Sequence, residues 1–69
     1  MEFELRAGDE YIELIRLLKA VNVAESGGHA KQLVEQGHVH VDGHREYRKR
    51  AKIRRASTVE VFDTYITIK

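Results

Sequence analysis

The chain of 69 residues contains no cysteine, no proline and no tryptophan, and its aromatic residues are three Tyr and two Phe. Without cysteine there are no thiol nucleophiles, no thiolate zinc sites and no disulfides, a composition that suits a reducing cytoplasm. No apolar run approaches the roughly 20 residues that span a bilayer, so no membrane association is expected. The opening stretch, MEFELRAGDEYIEL, is acidic where a signal peptide would be basic and then continuously apolar, so a mature cytoplasmic chain is expected. A domain this short buries only roughly 60% of the surface its unfolded chain exposes, with no disulfide or cysteine-bound metal to compensate. One small soluble domain over residues 1–69, without a deep cleft and without a cofactor, is the expectation.

The formal net charge of +1 hides a segregation. Residues 1–28 carry six acids and three bases, whereas residues 29–55 carry eight bases and three acids. The positive charge is densest in REYRKRAKIRR, positions 45–55, with seven bases and one acid. Such a run is either a solvated face or the footprint of an anionic partner.

Tyr11, Leu14, Ile15 and Leu18 recur at spacings of three and four, which predicts a helix over about residues 9–20 with Asp9 as N-cap. Ser26 offers a second N-cap, Ala30, Leu33 and Val34 repeat the spacing, and Gly37 falls where a left-handed C-cap is wanted, so a second helix is predicted over about 27–36. Beyond Gly37 the period changes to two. Val39 and Val41 alternate with His38 and His40, and Asp42-Gly43 is a type I′ hairpin signal with a polar returning arm from His44 to Arg48. Residues 58–62 and 65–68 alternate again around a predicted turn at Asp63-Thr64, and residues 1–8 either add a strand through Phe3 and Leu5 or fray. The fold class is therefore α+β: two short helices on one face of a small antiparallel sheet of three to five strands.

Enzyme chemistry finds no convergent set of groups. Ser26 three residues before His29 reads as a helix cap rather than as part of a triad, and Glu10 and Glu13 read as solvated helix residues. In the predicted hairpin Val41 opposes His44 and His40 opposes Arg45. His44 then lies on the valine face while His38 and His40 point the other way, beside Arg45 and Tyr47, an unsuitable arrangement for a metal. These histidines are either plain solvated residues or RNA-facing ones. The same register sets Glu46 on the valine face, so pairing should stop or bulge before it. In Ser26-Gly27-Gly28, two glycines in a first helical turn cost roughly 1 kcal/mol each against Ala. They serve either the approach of a phosphate to free N–H groups or close packing of the helix start on a neighbouring element.

Ser26, Ala30, Leu33, Val34, Gly37, Val39, Val41, Asp42 and Gly43, followed by Lys52-Ile53, resemble in type and spacing the core of the S4 domain, the RNA-binding module first seen in ribosomal small-subunit protein four. The resemblance covers about residues 11–62, and the basic run with the Ser-Gly start of the second helix looks most like the bacterial YbcJ group, which consists of this domain alone. The sequence departs from the family pattern at Gly27, where an Arg usually follows the Ser, and at Ala56-Ser57, where Gly-Asp is common. The resemblance implies a fold of the alpha-L type and non-catalytic binding of structured RNA, ribosomal RNA or an assembling ribosomal particle, by a monomer. The implied contact surface joins the second helix to the neighbouring sheet edge. Residues that would supply it are Ser26, Gly27, Gly28, His29, Lys31 and Gln32 on that helix, with His40, Arg45, Tyr47, Arg48, Lys49, Arg50 and Lys52 beyond it. The alternative is a protein-interaction module in which an acidic first helix, through Glu10 and Glu13, docks a basic partner. Duplex DNA binding by a helix-turn-helix fits less well, because the second helix begins with Gly-Gly where base-reading side chains would stand.

Overall fold

In the computed structural model, which describes all 69 residues, period-two alternation turns Val39, Val59, Val61, Ile66 and Ile68 inward onto the helices. The elements are β1 (Glu2–Phe3), β2 (Tyr11–Glu13), α1 (Leu14–Ala20), α2 (Gly27–Glu35), β3 (Val39–Val41), β4 (His44–Arg45), β5 (Lys52–Arg54), β6 (Thr58–Val61) and β7 (Thr64–Ile68). A five-stranded sheet has the order β1-β7-β6-β3-β4, and β2 pairs with β5 in a separate two-stranded ribbon. Leu14, Leu17 and Leu18 of α1 and Ala30, Leu33 and Val34 of α2 meet the inward strand residues in one core from Leu5 to Ile68. No polar or charged residue is buried in it. No helix is long and apolar enough to cross a membrane.

The structure has the expected α+β class and the expected second helix. Ser26 Oγ accepts the His29 N–H at 3.1 Å and caps α2. At its far end Gly37 adopts φ +79°, while His38 N donates to Leu33 O and Gly37 N to Val34 O, each at 3.1 Å, a Schellman closure. Asp42 and Gly43 both have positive φ, as the type I′ turn requires. Asp42 also exchanges bonds with Thr58, its Oδ1 accepting from Thr58 N at 2.9 Å, which fixes the hairpin to β6.

Four expectations are corrected. The first helix starts at Leu14, not near residue 9: Tyr11–Glu13 is strand β2, and Asp9 caps nothing. Glu10 and Glu13 thus lie outside the helix, and α1 carries Arg16 and Lys19 with no acid. The sheet is mixed rather than wholly antiparallel, because β1 joins β7 in parallel. The polar return strand ends at Arg45 instead of Arg48, in keeping with the position of Glu46 on the inward face. The last turn is Phe62-Asp63, with Val61 opposite Thr64. Moving the turn by one residue shifts the pairing by two, so the same side chains stay inward and alternation alone could not separate the two registers.

Ala56 stands at φ +73° where the family pattern has Gly. A left-handed conformation costs an L residue roughly 1–2 kcal/mol, and Gly in its place returns about half of that through unfolded-state entropy. Ala56→Gly is therefore expected to raise stability by about 0.5–1 kcal/mol. A urea unfolding midpoint below that of the parent would contradict this.

Candidate nucleic-acid interface

Beyond β4 the Glu46 N–H still donates to Val39 O at 2.9 Å, and the chain then leaves the sheet and crosses the start of α1. Leu14 N donates to Ala51 O at 2.9 Å and Ile15 N to Lys49 O at 3.1 Å, so carbonyls of the basic loop satisfy the amino-terminal donors of α1. This explains why Glu13, at the N-cap, makes no side-chain cap bond. Lys49 is half-buried, Arg50 and Lys52 are exposed, and Arg48, Arg50, Ala51 and Lys52 line a shallow cleft.

The seven bases of the run are not equivalent. Glu46 holds Arg48 in a fork: Arg48 N and Nε donate to Oε2 at 3.0 Å, and a terminal guanidinium nitrogen donates to Oε1 at 2.9 Å. Arg55 donates to the carbonyls of Asp9 and Arg6, at 2.6 and 3.2 Å, and ties down the amino-terminal loop. The ion pairs within 4 Å are Arg48–Glu46 and Lys69–Glu2, which leaves Arg45, Lys49, Arg50, Lys52 and Arg54 without a carboxylate partner. Unneutralised cations spread along β4, the following loop and β5 set up a local positive potential that attracts polyanions.

Side-chain hydrogen bonding from Arg48, opposed by partial burial, holds the Glu46 carboxyl below the usual carboxylate range. A depressed carboxylate stabilises the fold above its ordinary value and loses that contribution as pH falls through its folded value. The pair also sequesters a cation at the cleft. Glu46→Gln is expected to raise affinity for structured RNA about 3- to 10-fold, since it frees Arg48 and removes a negative charge. It should also flatten the acid limb of the stability profile. Fluorescence anisotropy and unfolding between pH 3 and 7 check the two, and weaker binding would contradict the expectation.

On α2 the exposed face presents Gly27, Gly28, Lys31, Gln32 and Glu35. A Cβ at Gly27 would meet nothing within 4 Å, and one at Gly28 only Ser26 Oγ at 3.9 Å, so neither glycine is required by packing. His29 is half-buried, and its Nδ1 accepts the Glu25 N–H at 3.1 Å, which assigns the ring proton to Nε2 and makes His29 part of the cap. The structure does not bring Ser26–His29 together with the basic loop. The loop adjoins the start of α1 and the end of α2, and nine helical residues, about 13 Å, separate that end from Gly27.

The hairpin register is the expected one, His40 opposite Arg45 and Val41 opposite His44. Arg45 and Tyr47 close over the end of α2: a Cβ at Gly37 would stand 3.3 Å from Arg45 Cδ and 3.4 Å from Tyr47 Oη. A cation there complements the negative end of the helix dipole.

Sequence reasoning missed two features. Tyr11 projects from β2 beside the β5 cations, with Lys52 Nζ 5.1 Å and Arg54 Cζ 5.8 Å from its ring centroid. The signal was the out-in-out pattern Tyr11-Ile12-Glu13, which the three-four spacing masked. His38 and Phe62 stack at the rim of the large sheet with centroids 4.9 Å apart, a contact set by the long-range pairing of β3 with β6.

A family model described as the S4 domain matches residues 3–69. The YbcJ proteins of Escherichia coli (strain K12) and Shigella flexneri are each 47% identical over 49 residues, 71% of this chain and 70% of theirs. The solution structure of YbcJ from Escherichia coli, described as revealing an alpha-L motif involved in RNA binding, superposes with a TM-score of 0.75 at 37% identity. That match covers 97% of this chain and 84% of that one.

Proposed function

The chain belongs to the S4-domain family, and from that premise we propose that it binds structured RNA without catalysing a reaction, as one domain over residues 1–69. The observation that carries this reading is that Arg45, Lys49, Arg50 and Lys52 have no carboxylate partner, with Arg45 over the end of α2 and the carbonyl of Lys49 at the start of α1. The alpha-L motif of its YbcJ relative, described as involved in RNA binding, supports the same partner class. A-form RNA hides its base edges in a deep, narrow groove. A small protein therefore reads the path of the phosphates with Lys and Arg, which is the chemistry this surface offers.

In this reading Arg45, Lys49, Arg50 and Lys52 hold the backbone, and Lys31, Gln32, Tyr47 and His40 extend the contact along α2 and across the outer sheet face. The open N–H groups at Gly27 and Gly28, with Ser26 and His29 fixing the helix start, receive a second phosphate at the other end of α2. Arg48 joins only when Glu46 releases it. Ribosomal RNA in an assembling cytoplasmic particle is the proposed target, because it is the abundant structured RNA of a reducing cytoplasm. Crosslinking in cells followed by sequencing of the attached RNA should return ribosomal segments that contain helices, and recovery of no RNA above background would contradict the proposal. The reading that an acidic first helix docks a basic protein loses its basis, since α1 carries no acid.

Gly27→Glu tests the helix start. The position is exposed and open, and an acid is favourable in a first helical turn, so the variant should fold as well as the parent. Repulsion of phosphate should weaken RNA binding about 3- to 10-fold. A folded variant with parental affinity would remove Ser26-Gly27-Gly28 from the site.

A further inference from the structure

Three exposed side chains form a row on the outer face of the large sheet. Extending the β3–β6 register by one residue sets Phe62 on one side of His38, and extending β3–β4 by two, with Glu46 N donating to Val39 O at 2.9 Å on the way, sets Tyr47 on the other. Phe62 is 61% exposed and Tyr47 57%, and the His38 and Phe62 rings stack at 4.9 Å with a tilt of 36°. Phe62 also holds φ +54°, a conformation that disfavours bulky side chains and that Gly or Asn would take with less strain. A large apolar ring is thus kept in solvent at a position whose backbone favours another residue.

From this row we infer that Phe62, His38 and Tyr47 form a stacking platform for unpaired bases of the bound RNA, a site that rests on the RNA-binding reading and extends it from phosphates to bases. The occupant follows from what borders the row. Tyr47 and Arg45 lie together over Gly37, and the chain continues from Tyr47 into the cleft of Arg48, Arg50 and Lys52. Aromatic faces beside unpaired cations suit a strand that alternates flat bases with phosphates. The opposite side of the face is closed to phosphate, because Glu60 lies between His40 and Tyr65 and its charge raises the Tyr65 phenol above its ordinary range. The strand is therefore confined to the row of Phe62, His38 and Tyr47 and to Arg45 beside it. A helical stem on the basic loop with its unpaired nucleotides on the row is the arrangement that uses both surfaces.

The test compares an RNA hairpin carrying an unpaired uridine loop with a blunt duplex of the same stem. Phe62→Gly removes the ring and suits the left-handed backbone, so the variant should unfold no more easily than the parent. Its affinity for the looped hairpin should fall roughly 5- to 150-fold, the range set by loss of one stacked base. Affinity for the blunt duplex should change by less than about twofold, since the phosphate contacts that hold it remain. Phe62→Trp should restore the looped-hairpin affinity, which a purely structural role for the ring would not require. Parental affinity of folded Phe62→Gly for the looped hairpin would overturn the platform and leave the row as a surface for a protein. If the unaltered protein bound neither RNA, the RNA-binding reading would fail with it, so the two failures are distinguishable.

Discussion

Replacing Lys49 and Arg50 together by Glu is expected to weaken binding to structured RNA on the order of 100-fold, since each lost charge-assisted contact is worth about 1.5 kcal/mol. Two new carboxylates at the mouth of the cleft add repulsion. The matched control is Arg6→Glu with Lys69→Glu. Leu5 N donates to Lys69 O at 2.8 Å, which places both residues at the β1 edge, across the sheet from β4. Both double variants carry a formal charge of −3, four below the parent's +1, so any effect of total charge is shared. The control sacrifices the exposed Lys69–Glu2 pair, which contributes little to folding. It should bind within about threefold of the parent, because the base beside Arg6 is Arg55, already held by backbone carbonyls and not one of the four cations assigned to phosphate, and exposed charges are screened over roughly 10 Å. Circular dichroism should show both variants folded, as the loop's bonds to α1 come from backbone carbonyls. Equal losses would deny the basic loop any special role.

The second large effect is on salt. With Arg45, Lys49, Arg50 and Lys52 each neutralising one phosphate, about four counterions are released on binding. Affinity should then fall roughly 100-fold between about 50 and 200 mM monovalent salt. Arg48 and Arg55 are left out of this sum because Glu46 and the Arg6 and Asp9 carbonyls already hold them. Glu46→Gln, by releasing Arg48, should steepen the logarithmic slope by about one. An affinity unchanged over this range would refute the electrostatic account.

How far these features could be read in the sequence depended on the range of the interactions behind them. The α2 start at Ser26, its end at Gly37 and the Asp42-Gly43 hairpin are each decided within a few residues, and all three were legible. The start of α1 was not, because its donors are satisfied by Ala51 and Lys49, far along the chain. The pairing of β2 with β5 has the same long range, and it moved Tyr11 from a supposed core stripe to the surface beside Lys52. Within the basic run, composition showed seven charges but not that two are engaged. Glu46 two residues before Arg48 is a local pair that alternation made visible only as an awkward inward acid. For Arg55 the partners are backbone carbonyls, which no side-chain pattern reports.

The central claim, that structured RNA lies on the basic loop and the adjoining end of α2, is tested most directly by amide chemical-shift mapping during titration with a base-paired RNA. The largest shifts should fall at Gly37, Arg45 and Tyr47 and from Lys49 to Lys52, with smaller ones along Lys31 and Gln32, while Glu2, Phe3, Arg6 and Lys69 stay unmoved. Shifts confined to β1, β7 and the acidic amino-terminal segment, with the loop silent, would contradict it.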